Sequence, residues 1–404
     1  MRRPARSGAE LILLLGLLAA IGPLSIDTYL PSMPAIVAEF GSTAAFVQQT
    51  VSAYFVGIAF GQVFWGPLSD RFGRRPVLIA GLVLYLVATF ASVASVGVAG
   101  LIAARGAQGL GAAATSAPGR AVIRDLWAGN RAARAMSFVM MVTAFAPMVA
   151  PLIGGQIFLY AGWRAIFWLM FAFGAALMLL VILRLPETND AGHRAGLSLG
   201  GYFRRYRTVL DSRRAWAYLL CGGLSYATLF AYLTGSPFVY IAIFHVDPQY
   251  FGFFFGLNAV GLAACNWLNG RYVMRFGYVR LLGVGAVASL VGCAAMLACS
   301  ALDLGGLAAV VITLLAAVGP IGVMGANSIA GLLDLYPQTA GAASALFGVG
   351  QYGLGAVASV CAGLLYTGTP VAMALTMTVC ALLAVLAWGW LRLTLRAGTL
   401  PARA

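Results

Sequence analysis

The chain reads as an all-α membrane protein of twelve transmembrane helices arranged as two pseudo-symmetric six-helix bundles. Three observations carry that reading. Of its 404 residues, 62% are hydrophobic and 9% charged, against about 25% charged in an average soluble protein. Apolar stretches of about 20 residues recur along its whole length. The charges gather in the short segments between them. A soluble fold is excluded, and no stretch is left for a soluble domain.

Taken in order, the apolar stretches place helices near 11–31, 46–67, 77–97, 99–122, 133–157, 164–184, 215–244, 251–272, 279–301, 306–333, 340–365 and 371–395. The first follows arginines, as the core of a signal peptide would. It continues through Leu30 without a convincing small-residue cleavage site and is therefore expected to be a helix of the protein. With the N-terminus in the cytoplasm, all of the 25 basic residues except Arg105 and Arg164 fall on the cytoplasmic side, and every one is arginine. The positive-inside rule then sets both termini in the cytoplasm and requires an even number of helices. The same asymmetry explains the net charge of +14 as topology rather than as a nucleic-acid surface. The six cysteines all fall in apolar stretches without metal-ligand spacing, so they are expected to be small packing residues, with no disulfide and no metal site.

The longest polar segment, 185–214, divides the chain into an N-terminal bundle, 1–184, and a C-terminal bundle, 215–404. A repeat supports the division: Gly66-Pro-Leu-Ser-Asp-Arg-Phe-Gly73 follows the second helix and Gly270-Arg-Tyr-Val-Met-Arg-Phe-Gly277 the eighth, with Arg-Phe-Gly in common. Two homologous halves are what many secondary transporters use to enclose a midplane site and alternate its access.

An ionised side chain near the bilayer centre costs at least about 2.5–3.5 kcal/mol. Asp27 and Arg105 are the two that the spans retain. Both lie about six residues, roughly 9 Å, below the outer surface, so a pair between them is expected. Asp27 either caps the irregular end made by Pro23, Ser25, Pro31 and Pro34 or is a carboxylate at which protonation and substrate binding compete. Arg105 either tethers backbone carbonyls or tunes Asp27. In the loop Gly66–Leu78, Gly73 permits a tight turn and Pro76 starts a helix. Asp70 is expected to latch onto the N-terminus of the eleventh helix, just after Pro337, when the protein is open outward. Pro147 and Pro151, with Gly154 and Gly155, are expected to bend the fifth helix and let it pack closely. Tyr54, Gln62, Gln108, Asn258, Asn327 and Gln351 are polar groups within spans that face either a cavity or another helix.

These residues resemble the major facilitator superfamily, and specifically its twelve-helix drug:proton antiporters. Gly66-Pro-Leu-Ser-Asp-Arg-Phe-Gly-Arg-Arg75 is similar to that family's loop motif after the second helix. The resemblance extends it to a conformational latch of Gly66, Asp70, Arg71, Gly73 and Arg74. Arg105-Gly-Ala-Gln-Gly-Leu-Gly-Ala-Ala113 resembles the fourth-helix motif, whose arginine is associated with proton coupling. Ala150-Pro-Leu-Ile-Gly-Gly155 resembles the fifth-helix antiporter motif, with Ala150 in place of its usual glycine. Pro23-Leu-Ser-Ile-Asp-Thr-Tyr-Leu-Pro31, Trp163-Arg-Ala-Ile-Phe-Trp168, Gly235-Ser-Pro-Phe-Val-Tyr240 and Ala340-Gly-Ala-Ala-Ser344 are similar to the Bcr/CflA subfamily of bicyclomycin and chloramphenicol exporters. The second-half loop has Met274 where Asp70 stands, so the first half alone can supply an acidic latch.

The expected function is proton-coupled export of a drug or antibiotic across the bacterial inner membrane. The proton gradient drives it without a cofactor, Asp27 and Arg105 couple it, and Tyr54, Gln108, Asn258, Asn327 and Gln351 are candidates to line the cavity. A monomer in the bilayer is expected. Export of an endogenous metabolite such as an amino acid is the alternative. A passive channel would ignore a pH gradient, and a membrane-embedded enzyme lacks a nucleophile and base or a metal set in the spans.

Overall fold

The computed structural model describes residues 8–189 and 199–397; Arg2, Arg3, Arg6, His193, Arg194 and Arg403 lie outside them. The helices are α1 (Gly8–Asp27), α2 (Met33–Glu39), α3 (Ala44–Phe72), α4 (Arg74–Val93), α5 (Val98–Leu126), α6 (Gly129–Arg184) and α7 (Leu199–Leu210). The second half adds α8 (Arg213–Pro237), α9 (Pro248–Phe276), α10 (Tyr278–Ala301), α11 (Gly306–Val318), α12 (Ile321–Leu335), α13 (Ala340–Leu364) and α14 (Val371–Ala397). No strand occurs among the described residues.

Among the described residues, ten segments are long and apolar enough to cross a membrane. One of them, α6, has 56 residues, about 84 Å, or more than twice a hydrocarbon core of about 30 Å. It leaves helical geometry at Gly162 (φ 74°), which only glycine adopts without strain, and so makes two traverses. The remaining traverse is α5, whose apolar character is diluted by glycines, Arg105 and Gln108. Twelve traverses result, as the sequence leads one to expect.

Several helices depart from their sequence-based limits for identifiable reasons. The first crossing ends in a 3-10 turn at Leu30–Ser32 before α2, because Pro31 and Pro34 lack the N–H groups that would continue α1. The tenth crossing is split into α11 and α12 at Gly319-Pro320. The seventh closes in a π-helical turn, Phe238–Ile243, after Pro237. Both α3 and α9 run past their apolar stretches to Phe72 and Phe276, since a helix continues into the interface where hydropathy no longer marks it. The segment 185–214, expected to be a polar linker, contains the helix α7; residues 190–198 lie outside those described.

The ends of the helices define two faces. The terminal face holds Gly8, the α3–α4 turn, Arg184 and the start of α13. The distal face holds Glu39, Gly162 and the turns before α9, α11 and α14. The internal repeat is visible in the backbone: α3 and α9 each have 29 residues and each ends in a positive-φ glycine, Gly73 (φ 104°) and Gly277 (φ 77°). Helices α1–α6 pack mainly on one another, as do α8–α14, and the two groups meet where α13 lies on α3 and α9 on α6.

Small residues set how closely the first group packs. A Cβ on Gly109 of α5 would stand 2.1 Å from the Tyr54 carbonyl oxygen of α3, and one on Gly57 of α3 2.1 Å from the Gly106 oxygen of α5. These backbones are in direct contact, the arrangement small residues permit in membranes. It brings Arg105 alongside Tyr54.

Candidate functional site

Arg105 is fully buried, and α5 carries it into a cage of rings rather than to an acid. Its guanidinium carbon lies 4.4 Å from the centre of the Tyr54 ring, 5.0 Å from that of Tyr29 and 5.7 Å from that of Phe167. A desolvated cation–π contact is worth about 2 kcal/mol or more. The guanidinium donates to Gln108 Oε1, and Gln108 Nε2 donates to Thr89 Oγ1 at 2.8 Å. Around the cage, the Tyr29 hydroxyl meets Thr50 Oγ1 at 2.9 Å and the Tyr85 hydroxyl meets Ser25 Oγ at 2.7 Å. Arg105 Nε and Nη2 have no hydrogen-bond partner.

Asp27 is the last residue of α1 and is 3% exposed. The expected pair with Arg105 is absent: no ion pair joins them among the described residues, and Asp27 Oδ1 has no hydrogen-bond partner. The reason is that the rings of Tyr29, Tyr54 and Phe167 and the Gln108 oxygen accommodate the guanidinium in place of the acid. Asp27 instead lies within electrostatic reach of Tyr232 of α8. The Tyr232 hydroxyl accepts from Asn258 Nδ2 of α9 at 3.1 Å, and Asn258 Oδ1 is buried without a partner. The Tyr232 ring stacks on Phe255, with centroids 5.7 Å apart. The acid of the first half thus lies within electrostatic reach of a phenol–amide pair of the second.

The other cavity candidates separate. Tyr54 serves the Arg105 cage, and its hydroxyl donates to the Gly22 oxygen at 3.4 Å. Gln108 is fully buried with both ends of its amide engaged inside the first half, which leaves it no face for a substrate. Asn327 donates to Asn269 Oδ1 at 2.7 Å and to the Val323 oxygen at 2.9 Å, so it clamps α12 to α9. Gln351 is half-buried on α13 beside Tyr352, whose ring stacks on Phe230 at 5.5 Å. Phe230 in turn stacks on Phe55 of α3 at 4.1 Å, crossing between the halves.

At the terminal face, Asp70 forms an ion pair with Arg74, and Arg74 Nε donates to Asp125 Oδ2 at 2.9 Å. Asp70 and Arg74 border a cavity of about 310 Å³ whose opposite wall is the start of α13, Ala340 to Ala345. Gly66 lines the same cavity, and Gly73 makes the turn. Arg71 departs from the expected latch: one residue, or about 100°, round the helix from Asp70, it is exposed over the Phe72 ring at 5.4 Å.

Two parts of this face escaped sequence reading. Glu187 accepts from the backbone N–H groups of Arg74 at 2.9 Å and Arg75 at 3.2 Å, capping α4 from 113 residues away. Tyr206 of α7 lines the cavity, and its hydroxyl donates to the Val63 oxygen at 3.0 Å. Burial, with the nearby Asp70 charge, pushes that phenol up to about 12, so it remains a donor at neutral pH. Neither residue belongs to a contiguous motif.

Pro147 and Pro151 lie inside α6, before the distal turn at Gly162. A Cβ on Gly154 would stand 1.9 Å from the Thr28 oxygen, and one on Gly155 2.6 Å from the Pro248 oxygen of the other half. On the distal side α6 therefore touches the end of α1 and the start of α9 backbone against backbone. Towards the terminal face α6 and α9 expose Met140, Met141, Phe145, Leu268 and Met274. The six cysteines are free thiols, and no group of metal-ligating side chains occurs among the described residues.

The family model "Major Facilitator Superfamily" matches residues 15–358. The MFS-type transporter YdgK of Bacillus subtilis is 35% identical over 380 residues, covering 94% of each chain. A bicyclomycin resistance protein homolog of Haemophilus influenzae is 32% identical over 380 residues, covering 94% of this chain and 95% of that protein. Among solved structures, a bacterial homolog of the human lysosomal transporter Spinster, in its inward-facing unoccupied conformation, matches with a TM-score of 0.74 at 14% identity, covering 97% of this chain and 98% of the other; it shares the fold. A family match over most of the chain, relatives of this identity and a fold of twelve crossings lead to one assignment: the chain belongs to the Major Facilitator Superfamily and is a membrane transporter, not an enzyme, with drug-resistance proteins among its relatives.

Proposed function

We propose that the chain exports a small drug-like molecule, of the kind for which its bicyclomycin-resistance relative is named, in exchange for protons. The observation that carries this reading is Asp27: a carboxyl group 3% exposed, without a partner for Oδ1, at the junction of the halves. A buried ionised carboxylate lacking a partner costs several kcal/mol, so Asp27 has reason to exchange a proton for a hydrogen-bonding or charged substrate group. Arg105 sets the potential of the site from its cage.

The terminal face is cytoplasmic on this reading, since Arg71, Arg74, Arg75, Arg124, Arg131, Arg134, Arg271, Arg275 and Arg280 gather there. The membrane is the bacterial inner membrane, and the transporter works as a monomer without a cofactor. The halves 1–184 and 215–404, joined by 185–214, rock about the α3–α13 and α6–α9 contacts. Backbone contact on the distal side, with a cavity at the terminal face, fits an inward-open state. Closing the terminal face brings Asp70 to the positive N-terminus of α13.

Proteoliposomes with an imposed pH gradient test the proposal. Wild-type protein is expected to move bicyclomycin uphill and Asp27→Asn to lose at least tenfold of that rate at equal reconstitution. Uphill transport by Asp27→Asn at the wild-type rate would overturn it.

A further inference from the structure

Away from the junction of the halves, the membrane-facing surface carries a groove of about 1010 Å³ between the start of α10 and the end of α14, at the terminal face. Its floor is the Trp388 indole, which donates to the Val279 oxygen at 2.9 Å. The indole lies flat because α10 has glycine beneath it: a Cβ on Gly283 would stand 2.1 Å from the ring. Val284 and Val287, 59% and 45% exposed, form an apolar wall. At the mouth stand Arg280 and Arg392. Their guanidiniums rest over the rings of Phe276 at 5.6 Å and Trp388 at 5.1 Å, and both residues are exposed. Neither forms an ion pair with a carboxylate among the described residues. The nearby Asp334 instead accepts from the Tyr278 hydroxyl at 3.1 Å.

Depth decides what such a groove fits. Arg280 opens α10 and Arg392 closes α14, so both lie at interfacial height. Val287 is seven residues, about 10 Å, deeper, and Trp388 about one turn below Arg392. Two cations at headgroup level above an indole and an apolar wall of acyl-chain depth match a phospholipid, and the cations select an anionic one. We infer that the groove binds an anionic phospholipid, its phosphate held between Arg280 and Arg392 and an acyl chain against Trp388 and Val287.

Lipid retention by the purified full-length protein, read by native mass spectrometry with phosphatidylglycerol or phosphatidylcholine of matched chains, tests this. Wild type is expected to prefer phosphatidylglycerol. The preference should fall about fivefold for R280Q or R392Q alone and about 30-fold for the pair, at about 1 kcal/mol for each interfacial arginine. The pair R280K/R392K should keep most of it. Val287→Trp, which fills the groove without touching the arginines, should lose it, and inorganic phosphate should not compete. Equal retention of both lipids by wild type, undiminished preference in the glutamine pair or in Val287→Trp, or displacement by phosphate would each overturn the assignment. Unchanged helix content by circular dichroism qualifies each variant, and the single substitutions stand in for the pair if the pair fails that check.

Discussion

Arg105 and Asp27 are both buried charges on paper, yet their surroundings separate them. Three rings and the Gln108 oxygen hold the guanidinium although its Nε and Nη2 lack hydrogen-bond partners, whereas Asp27 has an unpartnered Oδ1 and no ion pair among the described residues. Arg105→Lys is therefore expected to destabilise the first half by roughly 3 kcal/mol, because an ammonium cannot fill a planar cage and bond Gln108 together; thermal unfolding in detergent checks it. The sequence identified both residues, since a charge in an apolar span stands out by cost alone. It misassigned their pairing because equal depth does not specify azimuth. The ring faces of Tyr29 and Phe167 come from other parts of the fold than α5, and no spacing within α5 announces them. Asn258 was legible as a polar group in a span. Its bond to Tyr232, and the proximity of Tyr232 to Asp27, depend on how α8 and α9 pack.

At the scale of elements, the α6 motif works through what it lacks. With the Thr28 oxygen 1.9 Å from the place a Gly154 Cβ would occupy, Gly154→Ala must push α6 away from the end of α1, where Asp27 lies. Transport is expected to fall at least tenfold, with the protein still inserted and helical. Gly155 faces Pro248 of the other half, so Gly155→Ala is expected to loosen that contact and raise modification of distal-face cysteine probes by impermeant maleimide. Hydropathy recovered the crossings and the reversal at Gly162, which falls between the stretches 133–157 and 164–184, but it had no access to the break at Gly319-Pro320 or helix α7. Each depends on one or two backbone positions or on an amphipathic surface, not on average apolarity. The cap that Glu187 gives α4 is likewise invisible in sequence, since its partner helix starts 113 residues earlier.

Across the whole molecule, α6 and α9 touch backbone to backbone on the distal side, while a cavity separates Asp70 from the start of α13 at the terminal face. If Asp70 stabilises closure of that cavity, Asp70→Asn shifts the population towards the open state. A cysteine at Ser344, on the α13 wall, should then react several times faster with maleimide from the terminal side, in a background with the six native cysteines replaced by alanine. Proton and substrate are proposed to exchange at Asp27. The measurement that addresses this exchange most directly is proton release on substrate addition to weakly buffered detergent-solubilised protein, followed with a pH-indicator dye. Bicyclomycin is expected to release protons from wild type and none from Asp27→Asn that still binds it; equal release from both proteins would contradict the account.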